Sequence, residues 1–450
     1  MVSTKSRPNG QVASEKPHVV IIGGSLGGLF AGVALKAHGY NTTILERTPT
    51  FLLDNQGAGI VAGGDTLSFF EKYDRTGKPV AVPSFKRLYL NQKGDVIHEE
   101  VNRQNMTSWD LCYYLLRANY DRVESGYLED GGKLPEVREG VDGSVNYRYG
   151  CTVTSIEDQG DMVSVKFKRA GEDGVEVEEE IKSRLVVAAD GPSSTVRKFL
   201  QPEVERTYAG YVVIRGTVPE LEASQSALEV FRERFCFFHA PGIQNLTYTI
   251  AGQNGNTNPG HRLLNFVWYA NFPEGSRELD QLMTDKDGRR RHITIPPGKI
   301  AWDAWEMLKS KADDTLPPQM AEMAHKTRSP FVQCITDVIT PKNLYMGDKV
   351  VLIGDALAGF RPHTVASTSQ AAFNAMSLVE WLDGEIERKQ FVKQTMEYAR
   401  LIQNRGVMMG TRSQFETLDV EEYIKDRNLA STKRWDDVYP EWTREGLETV

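Results

Sequence analysis

Three short apolar runs, each followed by a glycine-bearing turn, predict an α/β fold for this chain of 450 residues. The runs are His18–Ile22, Leu185–Ala189 and Val350–Ile353; the turns are Gly23–Gly28, Asp190-Gly191 and Gly354-Asp355. Uncharged runs this short, closed by turn residues, read as strands buried on both faces, as in a parallel sheet. The stretches between them alternate apolar and polar residues, so a β-sheet domain is expected to be interleaved with the parallel-sheet domain. C-terminal helices complete the prediction.

The first run begins a strand, turn, helix and second strand that together read PHVVIIGGSLGGLFAGVALKAHGYNTTILER. The turn matches the dinucleotide fingerprint G-x-G-x-x-G, with Ser25 in place of the middle glycine. Gly23 lets the chain leave the strand sharply, and Gly28 lets the helix pack close to the sheet. Backbone N–H groups between them, with the positive end of the helix, face a pyrophosphate. Gly39 is placed to end the helix. Glu46 follows Gly28 by 18 residues, where a carboxylate accepts from both hydroxyls of an adenosine ribose. An acid there suits FAD or NAD better than NADP. Val19–Leu35 is uncharged, but its glycines and its length argue against a membrane span.

Further on, Phe51–Gly64 is rich in glycine and reads either as backbone lying against a ligand or as a flexible loop. Thr66–Tyr73 and Ser108–Tyr120 have helical spacing, the second starting at a Thr107/Ser108 cap. Lys86–Leu90 and Val96–Glu100 form a hairpin, and residues 147–187 are β-rich. Strands are expected at Gly210–Val218, Arg234–Ala240, Leu246–Ala251 and Leu263–Tyr269, with aromatic and polar residues alternating. That pattern suits a sheet with one face on a ligand cavity, although any single aromatic reads first as core. Ser367–Asp383 is expected to be a helix opened by a Ser367/Gln370 capping box. Beyond it, the chain is helical and then polar, with Trp435 and Trp442 expected to dock the tail.

Composition sets outer bounds. The net charge of −8 offers no basic footprint for nucleic acid, and the Gly288–His292 run reads as a solvated turn. Cys112, Cys151, Cys236 and Cys334 are far apart, which suggests reduced thiols in a cytoplasmic protein rather than a disulfide framework or metal site. Residues 1–17 are expected to be a disordered leader, since they lack the apolar core of a secretory signal. The expected organisation places a dinucleotide-binding domain at 18–75, 103–200 and 340–400. A substrate domain takes 76–102 and 201–339, and a helical tail takes 401–450.

The three turns, in this order and spacing, resemble the single-component (class A) FAD-dependent aromatic hydroxylases of the para-hydroxybenzoate hydroxylase superfamily. The resemblance covers roughly residues 18–400. It is closer to the 2,6-dihydroxypyridine 3-monooxygenase branch, on Gly23–Gly28, Gly57-Ala58-Gly59-Ile60, Thr107-Ser108-Trp109-Asp110, Tyr208-Ala209-Gly210-Tyr211 with Arg215-Gly216, Leu282-Met283-Thr284-Asp285 and Arg361-Pro362-His363-Thr364. The resemblance implies a Rossmann-like FAD-binding domain (GR2-type) interleaved with a β-sheet substrate domain. It implies that Gly23, Ser25, Leu26 and Gly28 approach the pyrophosphate, with Glu46 and Arg47 at the adenosine. It also implies that Gly354 and Asp355 meet the ribityl chain and that Asp190 supports the cofactor and the use of reductant. Pro362, Ala366, Ser367 and Thr368 are then expected near the isoalloxazine. Ser108 belongs to the same group, although relatives commonly carry Arg or Gln there.

The reaction so implied is NADPH- or NADH-dependent hydroxylation, by O₂, of a phenolic, hydroxybenzoate-like or hydroxypyridine ring through a flavin hydroperoxide. Such chemistry needs a dry site and a ring made nucleophilic by loss of a proton. His363 is the first candidate base, because it lies in the loop expected at the flavin and histidine titrates in the useful range. A structural histidine is the competing reading. Tyr211, Arg215, His239 and Tyr269 are placed on the substrate strands as orienting groups. The turns do not separate hydroxylation from epoxidation or decarboxylative hydroxylation. A nucleotide-binding scaffold without turnover leaves the Asp355 motif unexplained, and a simple NAD dehydrogenase leaves the late Gly-Asp turn unexplained. No second Rossmann unit is visible, so the reductant is expected to bind transiently. A monomer or a homodimer is expected.

Overall fold

A computed structural model of the chain describes residues 16–50, 59–129, 131–171, 174–416 and 419–425. Residues 51–58 of the expected glycine-rich stretch Phe51–Gly64, residues 1–15 of the leader, Trp435 and Trp442 lie outside the described residues, while Gly59–Val61 is a strand and Gly64 opens a helix.

The three apolar runs become neighbouring parallel strands. Val19–Ile22 pairs with Leu185–Ala188 on one side and Thr42–Leu45 on the other, and Val350–Leu352 pairs with Leu185–Ala188. Leu344–Tyr345 and Val145–Arg148 complete a six-stranded sheet at its two edges. All residues of the three central strands are buried, as their uncharged sequences require. Helix Leu26–Ala37 packs on this sheet, helix Ser367–Leu382 packs against that helix, and most of the larger core lies around them. Gly39 takes φ +81° just beyond the end of the first helix, the left-handed geometry expected of it.

Parallel pairing brings the three turns together at one end of the strands. Gly23 has φ +101°, and a Cβ on it would stand 2.5 Å from the Ala189 carbonyl oxygen, against the Asp190 turn. A Cβ on Gly28 would collide with the Gly23 carbonyl. Gly354, at φ +55°, sits so close that its Cβ would be 4.0 Å from the Gly27 Cα. Motifs separated by more than 160 residues therefore form one cradle.

The second sheet is longer. Its path runs Thr294–Ile295, Phe331–Ile339, Thr207–Pro219, Leu263–Asn271, Ile243–Ile250, Arg234–Ala240, Val82–Leu90, Val96–Ser108 and Gly59–Val61. Period-2 alternation sorts its residues by face. Val212, Ile214, Phe266, Trp268, Cys236 and Phe238 turn to a core built with helices Trp302–Thr315 and Pro318–Lys326. Tyr211, Val213, Phe235, Phe237, Tyr248, Val267 and Tyr269 turn the other way, towards the first sheet. The expected capping box is absent. The helix starts at Ser367 with Ala366 as N-cap and no side-chain cap bond, and Gln370 instead donates to the Ala358 carbonyl at 2.9 Å. Ser367 is thus inside the first turn, one place too late to cap it. Helix Arg388–Phe415 is continuous, so the expected boundary at 400 falls within one helix. All four cysteines are buried and free. Among the described residues no helix is long and apolar enough to cross a membrane.

Candidate cofactor and substrate site

The cradle is held from both sides at Gly24. Its N–H donates to Glu46 Oε2 at 2.7 Å, and its carbonyl accepts from the Tyr147 hydroxyl at 2.8 Å. Tyr147 is backed by the Arg117 guanidinium, 3.8 Å from its ring centroid. Glu46 Oε1 also accepts from the Thr48 N–H at 2.7 Å, while Arg47 is exposed. Ser25 precedes helix Leu26–Ala37 in extended geometry and makes no side-chain cap bond. Helices starting at Trp109, Thr195, Gln225 and Arg277 are capped by serine hydroxyls. The two helix starts facing the cradle are not, so their first N–H groups are open to an anion.

Ser108 caps its own helix, accepting from Leu111 N at 3.1 Å, which leaves its O–H to donate elsewhere. Asp190 is engaged at both oxygens: its carboxylate accepts from the Ser194 hydroxyl and from the N–H groups of Thr195 and Val196. Burial holds its pKa above the ordinary carboxylate range. Asp355 differs. Its outer edge opens on a cavity, yet Oδ1 is cut off from water and has no partner. Burial pushes its pKa up to about 6, opposed by Arg206, Arg197 and a hydrogen bond from Ser367. An orphaned carboxylate oxygen beside an uncapped helix start is what a polyhydroxylated chain such as the ribityl of FAD would satisfy, and the donor set fits that group.

Beyond Asp355 the cavity, about 630 Å³ in volume, runs between the inner face of the long sheet and the Gly359–Thr368 segment. Pro362, Ala366, Ser367 and Thr368 line it on one side. Phe235, Phe237, Tyr248 and Tyr269 form the aromatic wall opposite, put there by alternation along paired strands. The alternating strands therefore supply both core and cavity, one on each face. Ile402, Arg405, Met409 and Tyr423 close the cavity from the C-terminal segment, a contribution no local pattern announces.

The expected base is held in a hydrogen-bonded chain. His363 lines the cavity, but both ring nitrogens are engaged. Nδ1 lies 2.8 Å from Gln244 Oε1, which only accepts, so Nδ1 carries the proton. Nε2 then accepts from the Tyr211 hydroxyl at 2.8 Å. Burial, with Arg361 nearby, pushes its pKa down to about 3. The lowered pKa favours the neutral imidazole over the physiological range. Tyr211 is fully buried behind it, and burial raises its pKa further above the phenol range. His239 stands next in the chain, 3.5 Å from Gln244 Nε2, and outside the cavity lining. Tyr269, its ring 4.7 Å from that of His363, and Arg215 both reach the cavity. Gln244 and Tyr147 were missed from sequence. Gln244 shows only as a polar residue in an alternating strand, and Tyr147 only as an aromatic in the β-rich stretch.

Comparison with known proteins agrees with this geometry. A family model described as FAD binding domain-like matches residues 208–337. The chain is 27% identical over 362 residues to the 2,6-dihydroxypyridine 3-monooxygenase of Paenarthrobacter nicotinovorans, covering 80% of this chain and 82% of that protein. It is 28% identical over 219 residues to the 6-hydroxynicotinate 3-monooxygenase of Pseudomonas fluorescens, over 48% of this chain and 51% of that one. The solved 2,6-dihydroxypyridine-3-hydroxylase of Arthrobacter nicotinovorans superposes with a TM-score of 0.74 at 25% identity, covering 90% of this chain and 95% of that one. The likeness read from the motifs is borne out as a similarity: the chain resembles a 2,6-dihydroxypyridine 3-monooxygenase over most of both chains.

Proposed function

We propose that this protein is a FAD-dependent, NAD(P)H-using monooxygenase that hydroxylates an electron-rich aromatic ring: a phenol, a hydroxybenzoate-like acid or a hydroxypyridine. The observation that carries the reading is Asp355, which lines an aromatic-walled cavity beside the uncapped helix start at Ser367 and has one carboxylate oxygen, Oδ1, without a partner. The similarity to a dihydroxypyridine monooxygenase over most of both chains supports the substrate class.

Gly23, Ser25, Leu26 and Gly28 would hold the pyrophosphate, Glu46 and Arg47 the adenosine, and Gly354 with Asp355 the ribityl chain. Pro362, Ala366, Ser367 and Thr368 would flank the isoalloxazine. When bound, the flavin supplies two-electron uptake from NAD(P)H and activation of O₂. The chain's own part is to position and to exclude water. Phe235, Phe237, Tyr248 and Tyr269 make a wall whose only polar groups are two phenols. The uncapped N–H groups at Ser367 present a preorganised positive end wherever negative charge grows nearby. Tyr211, His363 and Gln244 keep the loop that precedes that helix in one hydrogen-bonded arrangement.

The test is spectroscopic. The purified protein, reconstituted with FAD, is mixed anaerobically with NADH or NADPH, with and without a panel of phenols and hydroxypyridines. A flavin absorbance that bleaches faster with one aromatic is the expected result. Failure to retain FAD, or bleaching indifferent to every aromatic, would overturn the proposal.

A further inference from the structure

We infer that two copies of this chain pair edge to edge through strand Val96–Ser108, antiparallel about a two-fold axis at Val101. The inference does not depend on the reaction catalysed.

Strand Val96–Ser108 lies on the long sheet beyond Val82–Leu90, and its outer edge is covered at one end. Gly59–Val61 pairs with Met106–Ser108, the Ala62 N–H donates to the Asn105 carbonyl at 2.8 Å, and the chain then turns away into helix Gly64–Tyr73. Among the described residues no strand lies along the outer edge of residues 96–104. A strand edge of this kind is a template for another chain unless its side chains forbid it. Strand Glu176–Ser183 forbids it. It stands at the edge of the sheet formed with Thr152–Asp158 and Val163–Ala170. A copy paired there about Glu178 or Glu179 would set carboxylate on carboxylate, among Glu176, Glu178, Glu179 and Glu180. The edge at residues 96–104 carries no such guard. Val101 is 84% exposed between Glu99 and Arg103, and Phe85, Val96 and Ile97 on the same hairpin are about half exposed. Gathered apolar side chains in the open mark a surface that takes a partner.

Alternation fixes the register. Residues directly opposite each other in an antiparallel pair point to the same face, so the axis must fall on a residue and not between two. An axis on Glu99 or Glu100 sets like charges opposite each other. An axis on Val101 sets Val101 against itself and Glu99 against Arg103 on both sides. Glu99 Oε1 is held by Lys86 of its own chain at 2.6 Å, and its other oxygen would meet Arg103 of the partner subunit. The Arg103 guanidinium lies 5.9 Å from the Phe85 ring centroid, which keeps charge and apolar surface on one face. Asn102 turns to the opposite face and lines the cavity, so a second copy would back the site without blocking it. A ladder over residues 98–104 is short beside interfaces that bury about 1,200–2,000 Å². Reversible dissociation on dilution is therefore expected.

Sedimentation velocity on the full-length, FAD-loaded protein over a concentration series tests this. Arg103→Glu sets carboxylate against carboxylate on both sides of the axis and should weaken the dimer about tenfold or more. Glu99→Arg combined with Arg103→Glu restores opposite charges in reverse order and should recover most of that loss. A crosslink checks the register. The four native cysteines are buried, so Val101→Cys places an accessible thiol at the axis, and a short bifunctional maleimide should join the two copies there. Val175→Cys, at a site 61% exposed beside the acidic edge, should not be joined. Melting temperature and FAD content, measured for each variant, separate lost pairing from lost folding. A monomer up to about 100 μM, a dimer indifferent to Arg103→Glu, a double exchange that recovers nothing, or crosslinking no better at Val101 than at Val175 would each overturn the inference.

Discussion

At the scale of single residues, burial decides which groups can do acid–base work. His363 binds no proton in the folded protein until pH nears 3, whereas an unfolded histidine protonates near 6.5. The unfolded state therefore takes up more protons between these values, and stability falls as pH drops from about 6.5 towards 3. His363→Gln removes that ionisation. Thermal melts should show the variant's deficit against wild type shrinking between pH 7.5 and pH 5. A deficit that stays constant would mean that the imidazole is protonated in the folded state. Asp355 behaves in the opposite sense. Its pKa stands at about 6 without cofactor, and hydroxyl donors favour the ionised carboxylate. FAD binding should then pull the pKa down and release protons, so affinity should rise from pH 5 to pH 7.5, by up to about tenfold per unit of pKa change. Fluorescence titrations with FAD check this, and Asp355→Asn should flatten the slope. Both effects were invisible in the sequence. A histidine in a Pro-His-Thr loop reads as a titrating group until its neighbours Tyr211 and Gln244 are known, and these lie 152 and 119 residues away.

Elements carry the site through their ends. The helix at Leu26 has no serine cap and no acidic residue in its first turn, so its positive end is left to a ligand. The close packing that brings it there depends on Gly28, where a methyl group would strike the Gly23 carbonyl. Gly28→Ala should cost about 1–3 kcal/mol by overpacking, read from urea unfolding of the cofactor-free protein. It should also weaken FAD binding, because the helix must shift along the sheet. Normal affinity in a destabilised variant would show that the turn tolerates displacement. This element was legible in sequence, since strand, turn, helix and acid follow one another without interruption. The start of the helix at Ser367 was legible only in part. Ser367 and Gln370 have the spacing of a capping box, but the Arg361–Ala366 loop sets the first turn one residue earlier, and Asp355 lies near enough to take the serine hydroxyl.

At the scale of the whole molecule, the cavity exists because the long sheet, the Asp355–Thr368 turn and helix start, and a C-terminal segment meet. Helix Arg388–Phe415 and residues 419–425 return across the inner face of the long sheet, where Ile424 joins the aromatic cluster and the Tyr423 ring lies 4.7 Å from that of His239. Removing that cover should admit water. Tyr423→Ala is expected to raise the share of NAD(P)H oxidation that ends as hydrogen peroxide by a factor on the order of a few, measured with a peroxide assay beside product formation. An unchanged ratio would place the water barrier elsewhere in the cavity.

The sequence by itself determined the parallel strands, the three glycine turns and the kind of ligand they suit. Those features are local: a buried strand must be apolar, a sharp turn needs glycine, and a ribose-binding acid follows at a set spacing. The face of each substrate strand was also determined, because side chains alternate. Only the tertiary structure decided which aromatic wall is cavity and which is core, for the two faces have similar composition. It also decided that His363 is neutral, and that Asp190 is spent on a helix start while Asp355 is left open. Each of these depends on which distant groups remove water and supply partners, and protonation and availability follow from that surrounding rather than from the residue's name.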